Sequence, residues 1–237
     1  MNVRSISHHA RAGHLPRSRR GFTLVELLVA VAIIIVLAAL SFIGFGRMSK
    51  AASAATMTNS LRQVGTAIAG YAQDNGDMIP GPLHLGQRPI YRSSPATHLA
   101  YHLREYLAPG RDLEERELIP NLSSPMWRKK SPTTGGISLL SQQDVDPDSR
   151  VRRNPWGYAG ARPDDPNRQP ITMAKLASYG QLPWALVEAD RAHPLVGSAG
   201  WRTEMPAEPV HGSYRLALNF DGSVVQRHVN EELQTNQ

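Results

Sequence analysis

The chain has no cysteine in 237 residues. A disulfide framework, a cysteine zinc site and a thiol nucleophile are therefore excluded. Charged residues are only 19% and aromatics 6%, beside 19 glycines and 18 prolines. That is the composition of a loop-rich globular protein, not of a disordered one. No glycine-rich phosphate loop, nucleophile elbow or metalloprotease helix motif is present. Two further absences are local. The first 21 residues hold no acid, and Leu27 to Gly46 holds no charge of either sign.

The uncharged run is the main feature present. As a helix its ~20 residues rise about 30 Å, enough for a hydrocarbon core. A signal peptide has a shorter apolar core followed by a small-residue cleavage site. Here Ala38-Ala39-Leu40-Ser41 is a poor cleavage candidate, because helical patterning continues beyond it. A plain single-span anchor leaves Glu26 unexplained, since a carboxylate near a membrane span is costly and usually has a partner. If the chain is cut after Gly21, the freed amine of Phe22 is a candidate partner, in the same or a neighbouring chain.

The net charge of +6 suggests nucleic acid only until it is located. Arg4, Arg11, Arg17, Arg19 and Arg20 all lie in the first 21 residues. Removing them leaves 21 basic residues against 20 acidic, or +1. The basic charge is a topology signal that keeps the leader cytoplasmic and sends the rest outward, to the periplasm. No nucleic-acid partner is implied. His8, His9 and His14 read as part of a basic tail, not as a metal site.

The segment Gly21-Phe22-Thr23-Leu24-Val25-Glu26, after a basic leader and before an apolar run, resembles the processing motif of type IV prepilins and type II secretion pseudopilins. The resemblance implies cleavage by prepilin peptidase between Gly21 and Phe22, N-methylation of Phe22, and a role for Glu26 in assembly. It implies other pilin or pseudopilin subunits, an inner-membrane assembly platform and membrane lipid as partners. The expected fold is α+β and pilin-like. A long N-terminal transmembrane and amphipathic helix packs on a small antiparallel β-sheet head. The expected location is the bacterial inner membrane, single-pass, with the head periplasmic, and then a pilus or pseudopilus.

The expected organisation is a cleaved leader at 1–21, a transmembrane half-helix at 22–46, an amphipathic half at 47–75 and a head at 76–237. Met57, Leu61, Val64, Ile68 and Tyr71 form a stripe at helical spacing. Asp74-Asn75-Gly76 and then Pro80 stop the helix. Ser94-Pro95 predicts a short helix by capping, with Leu99, Leu103, Tyr106 and Leu107 apolar. Leu118-Ile119 reads as a short strand. Residues 120–170 show little periodicity and read as an irregular insert at the sheet edge. Residues 182–190 read as a strand. Tyr214 to Phe220 alternates and Asp221-Gly222 predicts a two-residue hairpin turn, giving a hairpin over 214–229.

His211, nine residues, then Asp221-Gly222 resembles the C-terminal H-X9-DG signature of a subgroup of prepilin-like proteins. Members commonly carry a histidine after the Asp-Gly, where this chain has Ser223, and often a Cys-Pro pair that it lacks. His211 and Asp221, or His211 with Glu188 and Asp190, are the residues a catalytic or metal site would use. A strand separates His211 from Asp221 by several residues at about 3.3 Å each, which argues against a direct pair. Asp144, Asp146 and Asp148 are weak calcium candidates, since alternating carboxylates supply oxygen ligands. The EF-hand positions that need glycine and glutamate hold Ser149 and Pro155, so a solvated acidic loop is the default. No cofactor and no enzyme activity are expected. The competing function is a membrane-anchored exported binding module for a polysaccharide, a protein or calcium.

Overall fold

The computed structural model describes residues 21–144, 154–162, 164–179 and 184–229. Residues 1–20, Asp146, Asp148, Leu182, Pro183 and the tail from Asn230 lie outside them. Two compact units meet in sequence at Gly46 and Arg47. The first helix, α1 (Leu24–Asp74), contributes residues to both.

In the N-terminal unit, α1 opens with a reciprocal cap. The Thr23 hydroxyl accepts from the Glu26 backbone N–H at 3.2 Å, and Glu26 Oε2 accepts from the Thr23 N–H at 2.8 Å. This Thr-x-x-Glu capping box satisfies two donors that a helix start otherwise leaves without partners. The apolar side chains after it are exposed on every side, from Leu24 at 79% to Val31 at 48% and Leu40 at 62%. Side chains are described only as far as Leu40 along this stretch. Among the described residues no helix is long and apolar enough to cross a membrane.

In the C-terminal unit the remainder of α1 is amphipathic, as the stripe predicts. Met57, Leu61, Val64 and Ile68 are buried, and Tyr71 packs at their edge. The helix ends where expected. Gly76 and then Asp77 take left-handed conformations, at φ 63° and 69°. The Asp77 N–H reaches back to the Ala72 carbonyl at 2.8 Å, the pattern that satisfies the last carbonyls of a helix.

The sheet has five antiparallel strands in chain order: β1 (Gly86–Gln87), β2 (Leu139–Ser141), β3 (Trp184–Glu188), β4 (Tyr214–Asn219) and β5 (Val224–His228). A cross-strand row runs Leu140, Val187, Ala217. These three pack with Ile137, Val196 and Met205 on one face. Leu139, Leu186, Leu216 and Leu218 pack with the α1 stripe on the other. Both faces are therefore covered, by α1 on one side and by loops on the other. A bulge between Trp184 and Leu186 shifts the register. It lets Ala185 and Leu186 both join the helix-side core.

Three expectations need correction. The region 120–170 does not merely decorate an edge, because β2 lies between β1 and β3. Its three residues are too few to show periodicity, which is why the sequence reads there as irregular. Ser94 does not cap a helix. That peptide bond to Pro95 is cis, and helix α2 (Leu99–His102) starts later, its first N–H held by Gln87 Oε1 at 2.7 Å. A second short helix, α3 (Arg104–Leu107), follows after a break at Leu103. Leu118 makes only an isolated bridge to Ile90. Two more short helices, α4 (Pro125–Lys130) and α5 (Met173–Ala177), complete the head.

Candidate functional site

Gly21 is exposed, and a Cβ added to it would meet none of the described residues within 4 Å. Its backbone is not among the positive-φ glycines. Neither its conformation nor crowding by the described residues requires glycine there, in contrast to Gly222 with φ 83°. Phe22 beside it is 83% exposed. Glu26 stands one turn into α1, where Oε2 also accepts from the Thr23 hydroxyl at 2.9 Å. A carboxylate in the first turn complements the positive end of the helix dipole. The three residues that the sequence singled out thus form an exposed, ordered helix start with a free-standing residue before it.

The C-terminal signature residues do not form one site. His211 is buried, stacked on Tyr214 with ring centroids 5.1 Å apart. Its Nε2 stands 2.9 Å from Glu188 Oε2, an ion pair when His211 is protonated. The approach lacks hydrogen-bond alignment, and Glu188 Oε1 has no partner. Glu188 Oε2 also accepts from the Leu216 N–H at 3.1 Å. Asp221 lies elsewhere, exposed in the hairpin turn, where it accepts from the Ser223 N–H at 2.9 Å and hydroxyl at 2.6 Å. Those bonds hold its carboxyl below the usual aspartate range. The turn itself is one residue longer than expected. Gly222 N–H bonds Asn219 O and Asn219 N–H bonds Ser223 O, closing a three-residue loop with glycine left-handed.

Asp190 does not join His211 either. Arg215 binds it through two nitrogens, Nε to Oδ2 at 2.6 Å and a terminal nitrogen to Oδ1 at 3.0 Å, with both side chains almost fully buried. This fork is the geometry guanidinium and carboxylate prefer. Strand alternation points Arg215 away from Leu216, and the signal for its partner was a lone acid just after the apolar strand β3. His193 packs nearby against Trp184 and accepts from the Leu195 N–H. Burial, then the charges of Arg215 and Arg227, pushes it down to about 3. Among the described residues no three His, Asp or Glu side chains group as metal ligands. Asp144 sits by Gln142, whose Oε1 accepts from its N–H at 3.3 Å; Asp146 and Asp148 lie outside the described residues.

Residues 16–42 match the family model of the prokaryotic N-terminal methylation motif. The match supports a type IV pilin-like precursor, and implies processing by prepilin peptidase and assembly with other pilins. It covers the start of the chain and leaves the head, with its His211 and Asp221-Gly222, unassigned. No curated protein and no solved structure matches the chain.

Proposed function

We propose that the chain is a pseudopilin or minor pilin-like subunit, cut between Gly21 and Phe22, methylated at Phe22 and built into a filament through α1. The observation that carries this reading is the pairing of the methylation motif with an ordered helix whose apolar side chains are bare. An unbroken apolar surface of that kind needs a cover. Lipid supplies it before assembly, and neighbouring copies of α1 supply it afterwards. Glycine at 21 has no reason among the described residues; a peptidase that must bring its catalytic groups to this peptide bond provides one.

On this reading the segment 22–46 anchors the precursor in the inner membrane and the head faces the periplasm. The C-terminal His211 and Asp221-Gly222 then mark a prepilin-associated head, in which each residue serves the fold. His211 ties the loop before β4 to β3, and Asp221 with Gly222 shapes the hairpin. The role is assembly and transport, not catalysis. The longer head, with β2 supplied from 120–170, suits a minor subunit.

The test is the intact mass and N-terminal peptide of the protein isolated from its own membrane. A mature chain beginning at Phe22 with one added methyl group is the expected result. A chain that still carries Arg19-Arg20-Gly21 would overturn the filament reading and leave a permanently anchored exported domain.

A further inference from the structure

A cavity of about 560 Å³ opens in the head beside β1, well within the ~300–1,000 Å³ of small-molecule sites. Its lining includes His84, Arg88, Arg92, His98, Tyr158 and Trp201, and no aspartate or glutamate among the described residues. Arg88 is already committed. It binds Glu204 Oε2 at 2.5 Å and the Gly135 carbonyl at 2.6 Å. Arg92 makes no hydrogen bond or ion pair with any described residue, though its charge is felt by Glu115. It is half-buried, so its guanidinium offers an unfilled fork for an anion.

His98 supplies the second, independent observation. It is 5% exposed and lines the cavity, yet its buried Nδ1 has no hydrogen-bond partner among the described residues. Buried nitrogens without a partner are uncommon in folded proteins. Burial, together with the charges of His84, Arg88 and Arg92, pushes His98 down to about 4, so near neutral pH the ring is uncharged. One ring nitrogen then donates and the other accepts. That suits hydroxyl groups, which do both, better than it suits a bare anion. Tyr158, 56% exposed, and Trp201 add flat apolar faces at the rim. Aromatic faces of this kind pack against the C–H faces of a pyranose ring.

We propose that this cavity binds an acidic sugar, with the sugar carboxylate on Arg92, a hydroxyl on His98 and the ring against Tyr158 and Trp201. A neutral sugar fails to use Arg92. A small inorganic anion fails to use His98 and the aromatic faces together. The site lies wholly in the head and stands whether or not α1 assembles into a filament.

The test is a titration of the full chain in detergent, read by tryptophan fluorescence and by calorimetry. The probes are digalacturonate, cellobiose and inorganic phosphate. Digalacturonate is expected to bind saturably, with cellobiose and phosphate each weaker by ~10-fold or more. Arg92→Gln and, separately, Tyr158→Leu are each expected to weaken digalacturonate by a similar factor while leaving the urea midpoint unchanged. Absence of digalacturonate binding overturns the proposal, as does equal binding of phosphate or of cellobiose. So does full affinity in Arg92→Gln. Tyr158→Leu serves as the second variant should Arg92→Gln shift the urea midpoint.

Discussion

Acidifying the protein from about pH 7.5 to about pH 5 is expected to cost the head several kcal/mol, through the buried His98 and His193 and the half-buried His102. His98 and His102 are pushed down to about 4 and His193 to about 3, in each case mainly because burial disfavours the charged ring. Unfolding returns each to an ordinary value near 6.5. Below that value the unfolded chain binds protons that the folded chain refuses, so stability falls as pH falls. At pH ~5 each ring stays neutral in the fold and is almost fully protonated when unfolded, a difference of about 2 kcal/mol per histidine. Three sum to about 6 kcal/mol, an upper bound because His98 and His102 feel one another's charge. Whole domains of this kind have only ~5–15 kcal/mol to lose. The lowered carboxyls of Glu115 and Asp221 titrate below this window and add nothing to it.

The assay is urea unfolding of the full chain in detergent, followed by tryptophan fluorescence. All four tryptophans, Trp127, Trp156, Trp184 and Trp201, lie in the head, so the signal reports that unit alone. The urea midpoint should fall markedly from pH 7.5 to pH 5. His193→Asn keeps an acceptor for the Leu195 N–H and removes the titration, so it should flatten the pH dependence by about a third. A midpoint that is level or rises on acidification would refute the reasoning, because it would mean that the buried rings accept protons within the fold.

Two further substitutions probe the head. Asp190→Ala removes the carboxylate that the buried Arg215 fork binds and should cost roughly 3–5 kcal/mol by urea midpoint at neutral pH; a loss below ~1 kcal/mol would show that the pair contributes no more than a surface one. Gly222→Ala forces a side chain into φ 83° and should cost about 1 kcal/mol, read from the same midpoint; an unchanged midpoint would mean that the turn relaxes at no cost.

The dipeptide Ser-Pro shows how far the sequence could be read. It occurs at 94–95, at 124–125 and at 131–132, and the first two make the contrast. At the second site Ser124 accepts from the Trp127 N–H at 3.0 Å and Pro125 begins α4, as local rules expect. At the first, Gln87 on β1 supplies the partner for Leu99, and the helix starts four residues after Pro95. Local chemistry is the same, and the difference comes from a residue 12 positions away. The long helix, its stop and the C-terminal hairpin were legible because each repeats its signal over many residues or concentrates it in a turn. Strands β1 and β2, of two and three residues, carry no period to read. The processing motif was legible because it is contiguous. The Asp190–Arg215 fork and the cavity by His98 were not, since they join segments that only the folded sheet brings together.

Glu26 has two roles that a single experiment can separate. In the isolated chain Oε2 takes both Thr23 bonds. A carboxylate has about four acceptor sites on its two oxygens. No described residue bonds Oε1, so the cap and a neighbour's amine do not compete for the same atom. If assembly relies on charge pairing with the Phe22 amine, Glu26→Gln should keep the capping bonds, since an amide oxygen still accepts, yet fail to enter the filament. Thr23→Val should weaken the cap and still assemble. If Glu26 instead serves only to hold the helix start, the outcomes reverse: Glu26→Gln assembles and Thr23→Val fails. Filament incorporation measured beside the wild-type chain, with cleavage after Gly21 verified by mass in both variants, decides between them. The reversed pattern would sink the pairing model while leaving the processing site intact.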